Sequence, residues 1–122
     1  MNPASVMKLV TTFAALELLG PAYRWKTEAH VSGTLRDGVL EGELTLKGLG
    51  DPKLDYESFW MLLRSLRGRG LSDIRGDLVL DRSYFGAVAN GRIDDDAFRP
   101  YNVIPDALLV NFKSLRFNFI PN

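Results

Sequence analysis

Residues 25–46 have the sequence WKTEAHVSGTLRDGVLEGELTL, and this stretch decides the fold. It contains two runs rich in apolar and β-branched residues, Trp25 to Leu35 and Val39 to Leu46. Between them lies Arg36-Asp37-Gly38, and an Asp-Gly pair is typical of the tight turn of a β-hairpin. The sequence therefore predicts an antiparallel hairpin, around which the rest of the chain is arranged.

A helix is predicted on each side of the hairpin. Before it, Pro3 to Leu19 lies between clear helix signals, because Asn2 is a good N-cap, proline suits the first helical position and Gly20-Pro21 stops the helix. Apolar residues cover most of the circumference of this helix, so we expect it to be buried. After the hairpin, Tyr56 to Leu66 has apolar residues at helical spacing and ends near Gly68-Arg69-Gly70.

The residue patterns in the second half of the sequence predict further strands and one long loop. Ile74 to Leu80 alternates apolar residues with polar residues or glycine, which indicates a strand. Asp81 to Asp106 is rich in Gly, Pro, Asn and Asp, which is typical of a loop, and Ala107 to Phe119 returns to a strand pattern. The expected fold class is α+β, with a mainly antiparallel sheet around the hairpin and two helices packed against it.

Composition excludes several classes of function. The 122 residues carry equal numbers of acidic and basic side chains, so no net charge draws the chain to nucleic acid. There is no cysteine and one histidine, His30, with no metal-binding or Ser-His-Asp pattern around it. We therefore expect no metal, no cofactor and no nucleic-acid partner. No secretory signal and no run of membrane-spanning length is visible in these residues, and if the chain is a fragment a signal peptide could have been lost upstream.

The tetrad Ser5-Val6-Met7-Lys8 is the motif that could carry chemistry. A spacing of three residues places Ser5 and Lys8 on one face of a helix, within side-chain reach. A neutral lysine amine can remove the proton of a serine hydroxyl, and both burial and the positive end of a helix lower the pKa of a lysine. The alternative is structural, since Ser and Lys meet at this spacing by chance and Lys8 could simply extend from a core helix to water.

The sequence around the tetrad resembles the class C penicillin-binding proteins, the D-alanyl-D-alanine carboxypeptidase/endopeptidase family. The resemblance begins with residues 2–12, NPASVMKLVTT, which are similar to the active-site helix of that family. It continues in the order expected for the family through residues 23–27 (YRWKT), 37–40 (DGVL), 50–52 (GDP), 76–79 (GDLV), 99–102 (RPYN) and 105–108 (PDAL). Two departures are Leu49, where glycine is frequent, and Lys113, where asparagine is common.

The resemblance implies an enzyme whose catalytic residues in this chain are Ser5, the acylated nucleophile, and Lys8, the general base. It implies a β-lactamase/transpeptidase-like fold with an inserted domain, in which residues 1–24 belong to the catalytic domain and residues 25–122 to the inserted α+β domain. The implied substrates are peptidoglycan peptides ending in D-Ala-D-Ala, outside the cytoplasm or in the periplasm, and the full-length protein would bind β-lactam antibiotics. Because the S-x-N and K-T-G motifs do not occur in this sequence, we expect the chain to be a fragment that is inactive alone.

A different class of function stays open from the residues alone. The chain could be a non-catalytic α+β binding or interaction module, in which Ser5 and Lys8 only support the first helix. The apolar surface of that helix also predicts self-association.

Three further features have mainly structural interpretations. We interpret Asp94-Asp95-Asp96 as a solvated loop, His30 as an exposed strand residue, and the aromatic residues Trp25, Tyr56, Phe59 and Trp60 as core.

Overall fold

A computed structural model describes residues 3–86, 93–96 and 98–121. Its elements, in chain order, are a 3-10 turn at Ala4–Val6, α1 (Met7–Leu19), β1 (Thr27–Arg36), β2 (Val39–Gly48), α2 (Tyr56–Gly68), β3 (Asp73–Arg75), β4 (Leu78–Asp81) and 3-10 turns at Pro100–Asn102 and Asn111–Lys113. The α+β class predicted from the sequence is confirmed.

The hairpin forms as predicted, with β1 and β2 antiparallel over their whole length. The register runs from Arg36 opposite Val39 at the turn to Thr27 opposite Gly48 at the open end. Asp37 and Gly38 both have positive φ, 47° and 83°, which is the backbone of a type I′ turn. The hairpin is therefore closed by local turn chemistry, independently of the rest of the chain.

The sheet is mixed, because β3 and β4 both run parallel to β2. On the side of β2 away from β1, β3 pairs with Val39–Glu41 and β4 pairs with Leu44–Lys47. The single strand predicted at Ile74 to Leu80 is divided at Gly76, whose φ is 155°. Parallel pairing requires a crossover connection, and α2 supplies it between β2 and β3.

The core lies between β2 and α2. Leu40, Leu44 and Leu46 point to the same face of the sheet and are at most 3 % exposed. Phe59 and Leu66 of α2 pack against this cluster, which is completed by Leu54, Leu62, Leu71 and Leu108. The carboxylate of Asp55 accepts a hydrogen bond from the backbone N–H of Ser58 at 2.8 Å, so α2 begins with an acidic N-cap.

The expectation that α1 is buried is wrong for this chain. The helix forms within the predicted bounds, but every one of its residues is exposed, with Phe13 at 65 % and Leu18 at 84 %. Asn2, the predicted N-cap, lies outside the described residues. α2 covers the centre of the core face of the sheet, and the core includes no residue of α1. No helix among the described residues is long and apolar enough to cross a membrane.

The strand predicted at Ala107 to Phe119 is also wrong. Ala107 and Leu108 are buried, but Asn111, Phe112 and Lys113 have φ between 46° and 53° and form a 3-10 turn. Such dihedral angles cannot continue a strand. Two tertiary hydrogen bonds hold the segment: Gly50 N–H donates to the Ala107 carbonyl at 2.9 Å, and Asn111 N–H donates to the Leu54 carbonyl at 2.8 Å.

Candidate active site

Ser5 and Lys8 lie together at the start of the first helix. Ser5 is in the 3-10 turn and Lys8 is in the first turn of α1, and Lys8 Nζ donates a hydrogen bond to Ser5 Oγ at 3.5 Å. The turn is closed by a hydrogen bond from Val6 N–H to the Pro3 carbonyl at 3.1 Å. The prediction that the two side chains share one face within reach is therefore confirmed. Their catalytic roles stay predictions.

Both side chains of the tetrad are exposed to solvent. The sequence argument for an activated lysine included burial, and the described residues do not supply it. The Lys8 amine lies within hydrogen-bond distance of the Ser5 hydroxyl, while no described residue shields the pair from water. Burial of Ser5 and Lys8 would require another protein surface to pack against α1.

A second polar cluster lies in the long loop and is centred on Asp94. The Asp94 carboxylate accepts hydrogen bonds from the Tyr101 hydroxyl at 2.7 Å and from Arg99 Nη1 at 3.2 Å, and Arg99 Nε also contacts Asp96 at 2.9 Å. The hydrogen bond from Tyr101 keeps the pKa of Asp94 below its ordinary value, assisted by Asn102 and opposed by partial burial. The carboxylates of Asp94 and Asp96 therefore hold the loop together by hydrogen bonds. They also remain partly exposed to water, as predicted.

Asn102 holds this loop together through buried hydrogen bonds, and in the sequence it belongs to residues 99–102 (RPYN), one of the segments that carry the family resemblance. Its side chain is 8 % exposed, and its Oδ1 atom accepts a hydrogen bond from Ile93 N–H at 2.8 Å. Its Nδ2 atom donates to the Asp96 carbonyl at 2.7 Å and to the Asp94 carboxylate at 2.5 Å. Among the residues described, no hydrogen bond or ion pair connects this cluster with Ser5 or Lys8.

The remaining candidates have structural roles. His30 is exposed on β1, as predicted, and its Nε2 atom lies 3.1 Å from Glu28. Of the aromatic residues expected in the core, Phe59 packs against it, whereas Trp60 is 56 % exposed. Trp25 and Tyr56 are similarly exposed, so the core interpretation is wrong for these three.

Comparison with known proteins identifies the family. The sequence model of the D-Ala-D-Ala carboxypeptidase 3 (S13) family matches residues 1–120. The chain belongs to this family. The resemblance noted from the tetrad and the segments that follow it is thereby confirmed.

The chain is also similar in sequence to individual carboxypeptidases. The chain is 35 % identical over 91 residues to the D-alanyl-D-alanine carboxypeptidase DacB of Haemophilus influenzae, covering 75 % of the chain and 19 % of the relative. It is 40 % identical over 84 residues to a D-alanyl-D-alanine carboxypeptidase of an Actinomadura species, covering 68 % and 15 % respectively. The chain thus spans less than a fifth of the length of these relatives.

The fold agrees with that of a solved member of the family. The crystal structure of penicillin binding protein 4 (dacB) from Haemophilus influenzae superposes with a TM-score of 0.78 at 34 % identity, over 92 % of this chain and 25 % of that one. A second structure of the same protein, complexed with a β-lactam, matches with a TM-score of 0.59 at 38 % identity, over 66 % of this chain and 19 % of that one. The transpeptidase-like assignment of the fold is confirmed by these matches.

Proposed function

We propose that this chain is part of a serine-type D-Ala-D-Ala carboxypeptidase/endopeptidase that acts on peptidoglycan peptides through an acyl-serine intermediate. The observation that carries the proposal is the Ser5–Lys8 pair at a helix start, in a chain that the carboxypeptidase family model matches from residue 1 to residue 120. The residues proposed as catalytic are Ser5 and Lys8. No cofactor and no metal is part of the proposal.

The proposed reaction begins with Ser5. Its Oγ atom attacks the carbonyl carbon of the penultimate D-alanine, and the hydroxyl proton passes to the amine of Lys8. Collapse of the tetrahedral intermediate breaks the peptide bond, and the departing nitrogen takes up a proton to release the terminal D-alanine. Water then hydrolyses the acyl ester and restores Ser5. The present 3.5 Å separation is compatible with proton transfer once substrate draws the two groups closer.

The proposed site needs parts that this sequence does not contain. An oxyanion hole takes two donors, of which the backbone N–H of Ser5 would supply one. The S-x-N and K-T-G motifs that complete proton transfer in such enzymes are absent from the 122 residues. We therefore propose that residues 1–24 belong to the catalytic domain, that residues 25–122 are part of an inserted domain, and that the chain alone is inactive.

The proposed partners follow from the same chemistry. A β-lactam carries a strained amide that Ser5 would open in the complete protein, and the related penicillin binding protein 4 has been solved with a β-lactam. Peptidoglycan peptides lie outside the cytoplasm, which places the proposed enzyme in the periplasm or another extracytoplasmic space. The exposed apolar surface of α1 is proposed to associate with a second copy when the catalytic domain is not present to cover it.

The test is intact-mass analysis after incubation with a fluorescent penicillin. It compares this chain with a longer protein that contains it together with the S-x-N and K-T-G motifs. We expect one adduct on the longer protein, lost in Ser5→Ala and kept in the matched control Thr11→Ala, which removes a hydroxyl from the same helix. An adduct that persists in Ser5→Ala would overturn the assignment of the nucleophile. The absence of any adduct would favour a non-catalytic binding module.

A further inference from the structure

The backbone at Ala4, directly before Ser5, departs from the regular helix that the sequence predicts from Pro3 onward. Ala4 has a φ of 45°, in the left-handed region, whereas the φ of Ser5 is not positive. Val6 N–H donates a hydrogen bond to the Pro3 carbonyl at 3.1 Å, which closes a four-residue turn. The signs of φ at the two central residues of this turn, Ala4 and Ser5, are those of a type II′ turn.

Alanine is not the residue that this backbone favours. In the left-handed region a Cβ atom lies too close to the following carbonyl oxygen, so glycine is normal at the first central position of a type II′ turn. Two neighbours restrain the conformation: Pro3 has its φ fixed by the ring, at −71°, and Met7 N–H donates a hydrogen bond to the Ala4 carbonyl. Strained backbone of this kind is concentrated at functional sites, and here it lies next to the proposed nucleophile.

We infer that Ala4 is a positioning residue for the acylation of Ser5, because it holds the preceding chain off the helix axis. A chain that continued as an α-helix through Ala4 would run along the axis and cover the free N–H groups of the first turn. Positive φ at Ala4 turns the chain away just before Ser5. The hydroxyl and the backbone N–H of Ser5 then lie at an open helix end, where one substrate carbonyl meets the nucleophile and an oxyanion donor together.

The inference rests on the proposed function, since Ala4 has nothing to position if Ser5 is not the nucleophile. It makes position 4 selective for backbone conformation. Glycine adopts positive φ without steric cost, so Ala4→Gly should keep the turn. A β-branched residue is a genuine outlier at positive φ, so Ala4→Val should return the backbone to negative φ. The matched control is Ala14→Val, the same change in the regular part of α1.

The experiment measures acylation by fluorescent penicillin in the longer protein that contains the S-x-N and K-T-G motifs. The dependence of the rate on penicillin concentration separates the acylation rate constant from the dissociation constant of the non-covalent complex. We expect Ala4→Val to lower the rate constant at least about tenfold and to change the dissociation constant less than about threefold, because a misplaced oxyanion donor slows the chemical step. Ala4→Gly and Ala14→Val should stay within about threefold of the parent rate constant.

The outcomes separate this inference from the proposed function. If the parent is acylated at Ser5 and Ala4→Val reacts at the parent rate, the function stands and position 4 is only a turn residue. An equal loss in Ala4→Gly and Ala4→Val would overturn the inference, because the side chain and not the backbone would then matter. A parent that keeps its adduct in Ser5→Ala would remove the proposed nucleophile and the inference with it. Ala4→Gly remains a test even if valine impairs folding, which the urea midpoint of Ala4→Val would reveal.

Discussion

The Nζ atom of Lys8 lies 3.5 Å from the Oγ atom of Ser5, although the two residues belong to different helix types. The 3-10 turn at Ala4–Val6 runs directly into α1, so the serine is presented at the helix start while the lysine projects from the following turn. Both groups are exposed, and the pair is held by the helix alone. Its geometry is therefore local and should survive in any longer protein that contains this helix.

Replacing Lys8 tests whether the pair is chemically active. Arginine has a side chain of similar length but is not deprotonated in proteins, so it cannot act as the general base. In the longer protein we expect Lys8→Arg to slow acylation by fluorescent penicillin by about 10²- to 10⁴-fold, the usual contribution of a positioned base. Lys26→Arg, outside the helix, is the matched control and should acylate at the parent rate. Unchanged acylation in Lys8→Arg would remove Lys8 from the mechanism.

Gly48 is predicted to be intolerant of any side chain. A Cβ atom at this position would lie 2.1 Å from the Ala107 carbonyl oxygen, a backbone atom of a buried segment that cannot move freely. We expect Gly48→Ala to lower the free energy of unfolding by about 1–3 kcal/mol, measured by urea denaturation. Gly68→Ala is the control, because nothing lies within 4 Å of its Cβ position and alanine favours the end of α2. An equal loss in both variants would contradict the packing argument.

The sequence is enough to predict those elements whose backbone is determined by residues within the element itself. The Asp37-Gly38 turn needs positive φ at both residues, and α2 has an acidic N-cap with an apolar stripe, so each signal lies within its own segment. The geometry of Ser5 and Lys8 follows from helical spacing for the same reason. These are the parts of the chain where a short stretch of sequence is enough to determine the backbone.

The elements that depend on distant contacts could not be predicted. The alternation in Ala107 to Phe119 indicates a strand, but hydrogen bonds from Asn111 to Leu54 and from Gly50 to Ala107 impose an irregular path. The parallel pairing of β3 and β4 follows from the way the chain crosses through α2, which no residue pattern specifies. The cluster around Asp94 likewise depends on Asn102, eight residues away.

Asp106 should make the stability of the fold depend on acid pH. Burial raises the pKa of this carboxyl, but hydrogen bonds from Leu108 N–H, Lys113 and Arg82 outweigh burial and hold the pKa below its ordinary value. A carboxyl with a lowered pKa in the folded state stabilises the fold above its unfolded pKa of about 4, and this stabilisation is lost as pH falls through the folded pKa. The Asp106 side chain is only 9 % exposed, but its partners Arg82 and Lys113 are 59 % and 50 % exposed, so water screens the two ion pairs in part.

The measurement for Asp106 is the urea midpoint as a function of pH. We expect Asp106→Asn to be less stable than the parent at pH 7 and to approach the parent as the pH falls below about 4, since the parent then loses the same interactions. Asp95→Asn, at an exposed position of the same loop, should follow the parent curve. A difference between parent and Asp106→Asn that stays constant down to pH 2 would show that charge is not the cause.

Asn102 is predicted to control the local stability of the loop. Asn102→Ala would leave the backbone N–H of Ile93 without its acceptor. It would also remove the shorter of two hydrogen bonds to the Asp96 carbonyl, which keeps the one from Arg99 N–H at 3.3 Å. An unsatisfied polar group costs about 1–3 kcal/mol, so the Ile93 amide should exchange with solvent about tenfold faster or more. Asn118→Ala, at an exposed asparagine outside this loop, is the control. Unchanged exchange in Asn102→Ala would show that the loop is held by the Arg99 ion pairs instead.

The surface of α1 gives the last prediction. Its large apolar residues are exposed on all sides of the helix, with Leu9 at 72 % and Phe13 at 65 %. We expect light scattering to show association of the chain. Phe13→Lys should weaken this association at least about tenfold, because burying one such side chain contributes about 1.5–3 kcal/mol. Thr12→Lys, which adds the same charge to the same helix, should weaken it less. Lys8 lies in α1 and Ser5 lies in the 3-10 turn that leads into it. A strictly monomeric chain would therefore mean that the helix tolerates water on every face and needs no partner to hold the Ser5–Lys8 pair in place.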